Sequence, residues 1–320
     1  MLKEVAISDF EYIAENKSDS LDFIHREIGS TDSYFVSNQE SHRVNTTCKF
    51  RVTGKIPEFW DAETGKINKS VVFEKDKLFT SVQVSLESKS SVFVVFNKTG
   101  DRNHIKKIVL NGTPVNGYYS LNGNNIEVCK SGKYRIEYSN ERPKEFEMTA
   151  IPDLLELNGQ WIVTFDKNWG SPGEVFFDTL VSWTERAEEG VKYHSGKGIC
   201  EKQFVIDSSL LRANLKIYLN LGEINTNARG YINGKKVGTL LKDPYRIVIS
   251  GYLYPDKNKL LIEGANTWPN RIMGDLNSNG VKNYPWSNST SHYNKDSKLI
   301  KSGLIGPVLV QFLGTLDINN

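Results

Sequence analysis

Trp268, Asn270, Arg271 and Asp275 fall inside one ten-residue stretch, NTWPNRIMGD, at positions 266–275. An indole presents an apolar face rimmed by one N–H donor. A guanidinium forks two parallel hydrogen bonds onto a carboxylate or onto backbone carbonyls. Such a group can hold a polar ligand or close a structural corner. Local side-chain hydrogen bonds commonly close corners of this kind, so Arg271 is expected to clamp the end of its strand and to face protein.

Aromatic platforms with planar polar groups beside them are also the chemistry that holds sugar rings. The large aromatics available for it in the second half of the chain are Trp169, Trp183, Tyr193, Trp268 and Trp286. With Arg271 they make the candidate carbohydrate-binding set, against a background in which most tryptophans are packing residues. Tyr284, Trp286 and Tyr293 lie in a polar loop of about twenty residues (277–297), a length that usually marks a functional or disordered segment.

Motifs for other chemistries are missing. There is no G-x-S-x-G elbow, H-E-x-x-H pair, P-loop or dinucleotide fingerprint. The five histidines are isolated, and His25 and His194 read as structural. Cys48, Cys129 and Cys200 are odd in number and far apart, without metal or disulfide spacing, and read as plain buried thiols.

The elements that must position these groups are strands. Segments such as DSYFVSNQ (32–39), LFTSVQVSL (78–86), SVFVVFN (91–97), LKIYLNLG (215–222) and KLLIEGAN (259–266) alternate apolar and polar residues and are rich in β-branched and aromatic types. Long amphipathic helical stretches are absent. The chain reads as all-β, as sandwiches. Asn233-Gly234 between two such segments predicts a two-residue type I′ hairpin. DAETG (61–65) and Pro255 to Asn258 read as further turns.

At 320 residues the chain suits two domains, and 38% hydrophobic with 24% charged residues describes a globular protein. A net charge of +2 with dispersed lysines leaves no footprint for nucleic acid. No segment is apolar for the roughly 20 residues a membrane helix needs, and the N-terminus lacks the pattern of a secretory signal. The expected boundaries are 1–15 as a leading remnant or linker, 16–150 as a β-sandwich, and 151–320 as a second β module. The part 101–150 is either an insertion or a bridge.

The stretch from FVIDSSLLRANLKIYLNLG through ARGYINGKKVG and PYRIVIS to LLIEGANTWPNRIMGD resembles the galactose-binding-like jelly roll that accompanies family 2 glycoside hydrolases. The ordered phrases FIHREIGSTDSYFVSNQ (23–39), PEFWDAETG (57–65), SSVFVVF (90–96), WIVTFDKNWGSP (161–172), WTERAEEGVKYHSG (183–196), WPNRIMGD and SGLIGPV (302–308) are similar to landmarks of glycoside hydrolase family 106, the α-L-rhamnosidases. The resemblance implies a two-module β region, the second a galactose-binding-like jelly roll, which in the family follows a catalytic barrel. Only about twenty residues precede the first landmark here, so the expectation is a segment that lacks the barrel and its carboxylates.

Glycoside hydrolysis needs two carboxyl groups at a set separation, one of them kept protonated. Glu185, Glu188 and Glu189 read as a solvated turn, and nothing marks a partner for Glu263 or Asp275. Autonomous catalysis is not expected. The leading reading is a non-catalytic segment of a glycosidase, with the barrel as its intramolecular partner and carbohydrate as ligand. The alternatives are a free-standing carbohydrate-binding protein and an enzyme with an unrecognised site. No cofactor is expected; a structural calcium ion is compatible with the jelly-roll class, although no Asp-rich loop has ligand spacing. The family is usually exported, which leaves the compartment open.

Overall fold

A computed structural model of the chain describes residues 7–318 apart from 70, 101–102, 116–119, 123–124, 278–292 and 295. Among the described residues the regular structure is antiparallel strands, with only short 3₁₀ turns and the two α-helices Glu189–Lys192 and Pro269–Asn277. Contacts divide the chain into two compact units, Met1–Ile151 with Leu313–Asn320, and Pro152–Phe312.

The first unit opens with two sheets that share a core. One has the order Phe10–Ala14, Val44–Phe50, Thr80–Leu86, Phe73–Lys75. The other runs Leu21–Ile28, Thr31–Asn38, Ser91–Thr99, Lys55–Trp60, Ile67–Asn68. Side chains alternate between the faces of a strand. Tyr34 and Val36, Val44, Cys48 and Phe50, and Val82, Val84 and Leu86 therefore all turn inward into one cluster.

Tyr34 sits at the centre of that cluster. Its ring meets Phe50 edge-on at 4.8 Å and Phe96 at 6.2 Å, the geometry that ring quadrupoles favour. Its hydroxyl donates to Asp9 at 3.3 Å, and burial and the Asp9 carboxylate push its pKa upward. The His25 ring stacks on Tyr34 at 4.0 Å and bridges Asp9 (2.8 Å) and Asp32 (3.2 Å).

The stretch left open as an insertion or bridge has a core of its own within the same unit. Strands Ile105–Leu110, Gly132–Tyr138 and Lys144–Met148 pair in sequence. Asn125–Val128 pairs with residues 314–317 near the C-terminus. Ile108, Ile126, Ile136, Met148 and Leu316 close this second cluster. Gly314 is needed there, because a Cβ would lie 2.6 Å from the Met148 sulfur.

The second unit is built on a six-stranded antiparallel sheet: Glu174–Phe177, Trp161–Phe165, Lys197–Ile206, Asp256–Ala265, Asn227–Ile232, Lys235–Leu240. Cys200, Phe204 and Ile206 on one long strand and Leu260 and Ile262 on its partner are buried at alternate positions. The Asn233-Gly234 turn has both residues left-handed, with φ of 52° and 78°, as a type I′ hairpin requires. DAETG also reverses the chain: the Asp61 carbonyl accepts from the Gly65 amide at 2.9 Å.

Two expectations are corrected. Cys129 is exposed, whereas Cys48 and Cys200 are buried with thiol pKa values pushed up by burial to about 12. The strand expected to run on through Trp268 to Arg271 ends at Ala265, and PNRIMGDLN forms a helix. Pro269 explains the switch, since its fixed φ and missing N–H suit the first position of a helix and end a ladder.

Phe50→Ala removes a fully buried ring from the centre of the first core. It is expected to lower stability by about 3–5 kcal/mol, read from urea unfolding; a loss under about 1 kcal/mol contradicts this packing.

Candidate functional site

The opening cluster of the sequence lies where the two longest strands of the second unit end together, Lys197 opposite Ala265. Beyond them, one asparagine stitches the departing loops. The Asn266 Nδ2 donates to the His194 carbonyl (2.7 Å), its Oδ1 accepts from the Gly196 amide (2.7 Å), and its own amide donates to the Gly196 carbonyl (3.1 Å). The Ser195 hydroxyl adds a bond to the Thr267 carbonyl at 3.0 Å. One turn further on, Asn270 imitates a strand partner: its Nδ2 donates to the Ile300 carbonyl (2.6 Å) and its Oδ1 accepts from the Ile300 amide (2.8 Å).

Arg271 is buried and donates from Nη2 to Asp275 Oδ1 at 2.7 Å, one helical turn along. Its guanidinium therefore lies against protein. Gly274, between them in sequence, makes room for Tyr193, whose ring would be 2.6 Å from an added Cβ. Tyr193 is half-buried, with the Lys192 ammonium 5.5 Å from its ring centre.

Trp268 and Trp169 come together at the surface. Trp268 is 46% exposed, Trp169 is half-buried, and their rings meet edge-to-face at 5.4 Å and 63°. Trp169 is delivered by the short 3₁₀ turn Lys167–Trp169. The Asp166 carboxylate caps this turn through the Asn168 amide at 2.9 Å, and Gly170 ends it with a φ of 78°.

Trp183 belongs elsewhere. It is 1% exposed and packs edge-on to Phe165 (4.9 Å) and His194 (5.6 Å). Gly198 and Gly303 clear its space, for a Cβ on either would come within 2.6 Å of the indole. Trp286 lies outside the described residues. Of the six candidates, then, Trp169 and Trp268 share a surface, Tyr193 packs at Gly274 on the helix that carries Arg271, and Trp183 is core.

His194 is buried against the rings of Phe165 and Trp183. Its Nε2 donates to the Lys197 carbonyl at 3.2 Å, which leaves Nδ1 the acceptor, with no hydrogen-bond partner among the described residues. Burial holds its pKa below the ordinary 6.5, and the nearby Arg271 charge adds to the effect.

The carboxylates near the cluster are already engaged. Glu263 is paired with Lys197 (2.8 Å) and Arg229 (3.4 Å), and Asp275 with Arg271. The hydrogen bond from Arg186, at 2.6 Å, holds Glu188 below the usual carboxylate range. The arrangement offers an aromatic surface beside carboxylates that are each held by a cation. Among the described residues no group of three or more His, Cys, Asp or Glu is placed to hold a metal ion. A cavity of about 620 Å³ lies in the first unit, with Ile108, Leu110 and Val128 against Glu15, Arg43 and Asn45. At its rim Arg43 pairs with Glu87, and the Asn45 amide donates to Glu15.

The chain is similar to parts of known glycosidases. Residues 1–75 match the family model for alpha-L-rhamnosidase, glycoside hydrolase family 106. A rhamnosidase from Novosphingobium sp. PP1Y is similar in structure over 97% of this chain, with a TM-score of 0.69 and 29% identity. A putative beta-glucuronidase of Formosa agariphila is 34% identical over 202 residues, 56% of this chain. A Ruminococcus gnavus beta-glucuronidase matches over 35% of this chain and 21% of its own, at 21% identity and a TM-score of 0.31, too distant to carry an argument. The chain spans 25% of the Novosphingobium protein and 17% of the Formosa protein. The resemblance to family 106 read from the ordered phrases is thus found independently, by the family model over the first 75 residues and by structure over nearly the whole chain.

The signal for Asn266 and Asn270 was in the quoted stretch, where asparagines flank a proline. Their role as backbone mimics depends on loops that arrive from residues 194–196 and 300. Nothing local marks Gly198 and Gly303 as the walls of Trp183.

The His194 environment carries a pH signature. An unfolded chain protonates this imidazole near pH 6.5, while the folded site resists. Stability is therefore full above that value and falls as the pH drops through it toward the folded pKa. His194→Gln keeps a donor for the Lys197 carbonyl, and it is expected to flatten the fall of urea-unfolding stability below about pH 6.5. An unchanged slope contradicts the assignment.

Proposed function

We propose that this chain is a non-catalytic β portion of a carbohydrate-degrading enzyme akin to the α-L-rhamnosidases. In this reading its second unit is a galactose-binding-like jelly roll that lends structural support to a catalytic domain and holds saccharide at Trp169 and Trp268. The observation that carries the reading is the pairing of coverages: nearly all of this chain corresponds to only a quarter of the Novosphingobium rhamnosidase. The engaged state of Glu188, Glu263 and Asp275 supports the non-catalytic part, because a general acid must be free to hold and release a proton. The exposed indole pair supports the binding part.

Two measurements test it. The purified chain is expected to release no aryl alcohol from an aryl α-L-rhamnoside above the buffer rate, and measurable turnover refutes the non-catalytic role. In gels cast with rhamnose-bearing or glucuronate-bearing polysaccharide the chain is expected to be retarded. Trp268→Ala or Trp169→Ala is expected to weaken that retardation about tenfold, the loss typical of an aromatic anchor. Equal retardation of wild type and both variants removes the loop surface from the reading.

A further inference from the structure

The five-stranded sheet of the first unit carries an apolar row that no single segment of the sequence contains. Its register sets Ile24 opposite Phe35, Phe35 opposite Phe93, Phe93 opposite Trp60, and Trp60 opposite Ile67. One side chain from every strand thus joins a line four inter-strand spacings long, about 19 Å. Tyr34, Val94 and Phe59, the sequence neighbours of these residues, pack into the core cluster. Strand alternation therefore puts the row on the opposite, outer face. Ile24 is 55% exposed, Trp60 37% and Ile67 49%. Phe35 and Phe93 are half-buried by one another, with ring centres 5.0 Å apart.

The flanks of the row are polar except at Val95, which is buried on this face. Asp22, Ser37 and Ser91 stand in register along one side. Along the other, Arg26 is opposite Ser33, and Glu58 is opposite Val95. Glu58 is 95% withdrawn from solvent by its 5% exposure, yet it lies on this outer face. One of its carboxylate oxygens accepts from the Trp60 indole N–H at 3.1 Å, and Lys98 stands 3.6 Å from the other. A buried carboxylate thus holds the exposed indole in place, which spares a ligand the cost of ordering it.

The width of the row decides what fits. Apart from Val95 it is one residue wide, with hydroxyls and charges of both signs on its edges. A protein partner of ordinary stability takes roughly 20–30 residues on each side around a broad apolar centre, which this strip does not provide. A saccharide chain matches it: C–H faces of successive rings lie on the aromatic line, and ring hydroxyls reach Ser37, Ser91, Asp22 and Arg26. We propose that the row Ile24–Phe35–Phe93–Trp60–Ile67 is an extended saccharide-binding platform, separate from the Trp169–Trp268 surface, that takes several consecutive sugar units. The ligand class rests on the function proposed above, whereas the row and its polar borders do not.

The test runs the full chain by affinity electrophoresis through rhamnose-bearing and glucuronate-bearing polysaccharide, with melting curves to confirm folding. Trp60→Ala and Phe93→Ala are each expected to raise the dissociation constant about tenfold. Ser37→Arg, which lays a long side chain beside the row and removes no aromatic, is expected to show the same loss. If Trp268→Ala abolishes retardation while the three sheet variants match wild type, the platform is overturned and the loop surface stands. If the wild type is retarded by neither polysaccharide, both fall. If Trp60→Ala instead converts a self-associating chain to monomer in sedimentation, the face is a contact between copies and the platform is overturned.

Discussion

Antiparallel pairing gives each strand of this protein two faces and only one core to bury. Because side chains alternate strictly, the residues that fill the core determine by register which ones stand in solvent on the other side. Tyr34 and Val94 are inward, so Phe35 and Phe93 are outward. A slip of one residue would exchange the two sets, bury Ser33 and Ser37 and expose the aromatic core. The cost of that exchange pins the register, and the pinned register is what lines up the outer row.

The second unit uses the same constraint differently. Its long strands hold Cys200, Phe204, Leu260 and Ile262 inward, and their ends bring the loops at 193–196 and 266–268 side by side. Ladder hydrogen bonds stop at Ala265, which leaves backbone amides and carbonyls that must still be satisfied. Asn266 and Asn270 supply the missing partners, since a carboxamide carries the same donor and acceptor as a peptide group. With the corner closed by asparagines, Arg271 is left to its helix and Asp275, and Trp268 is free to meet Trp169 at the surface.

Much of this was legible in the chain itself. Alternation in DSYFVSNQ and KLLIEGAN marks the strands, Asn233-Gly234 marks its hairpin, and the ordered phrases mark the resemblance to family 106. Each of these depends on near neighbours, through side-chain period or the φ values a turn demands, or on order along the chain. The helix at Pro269 was less legible, because a short apolar run after a strand reads equally as its continuation. The exposure of Cys129 and the neighbours that wall in Trp183 could not be read at all, since neither residue's type determines what packs against it.

Composition, alternation and turn chemistry by themselves determined that this is an all-β protein and that Asn233-Gly234 turns a hairpin. Tertiary structure decided which aromatics share a surface. Trp169 and Trp268 are about a hundred residues apart, and the outer row draws on positions 24, 35, 93, 60 and 67 in an order the chain never follows. Strand order and register bring such residues together, and both are set by the competition of whole sheets for a common core, which no local stretch of sequence encodes.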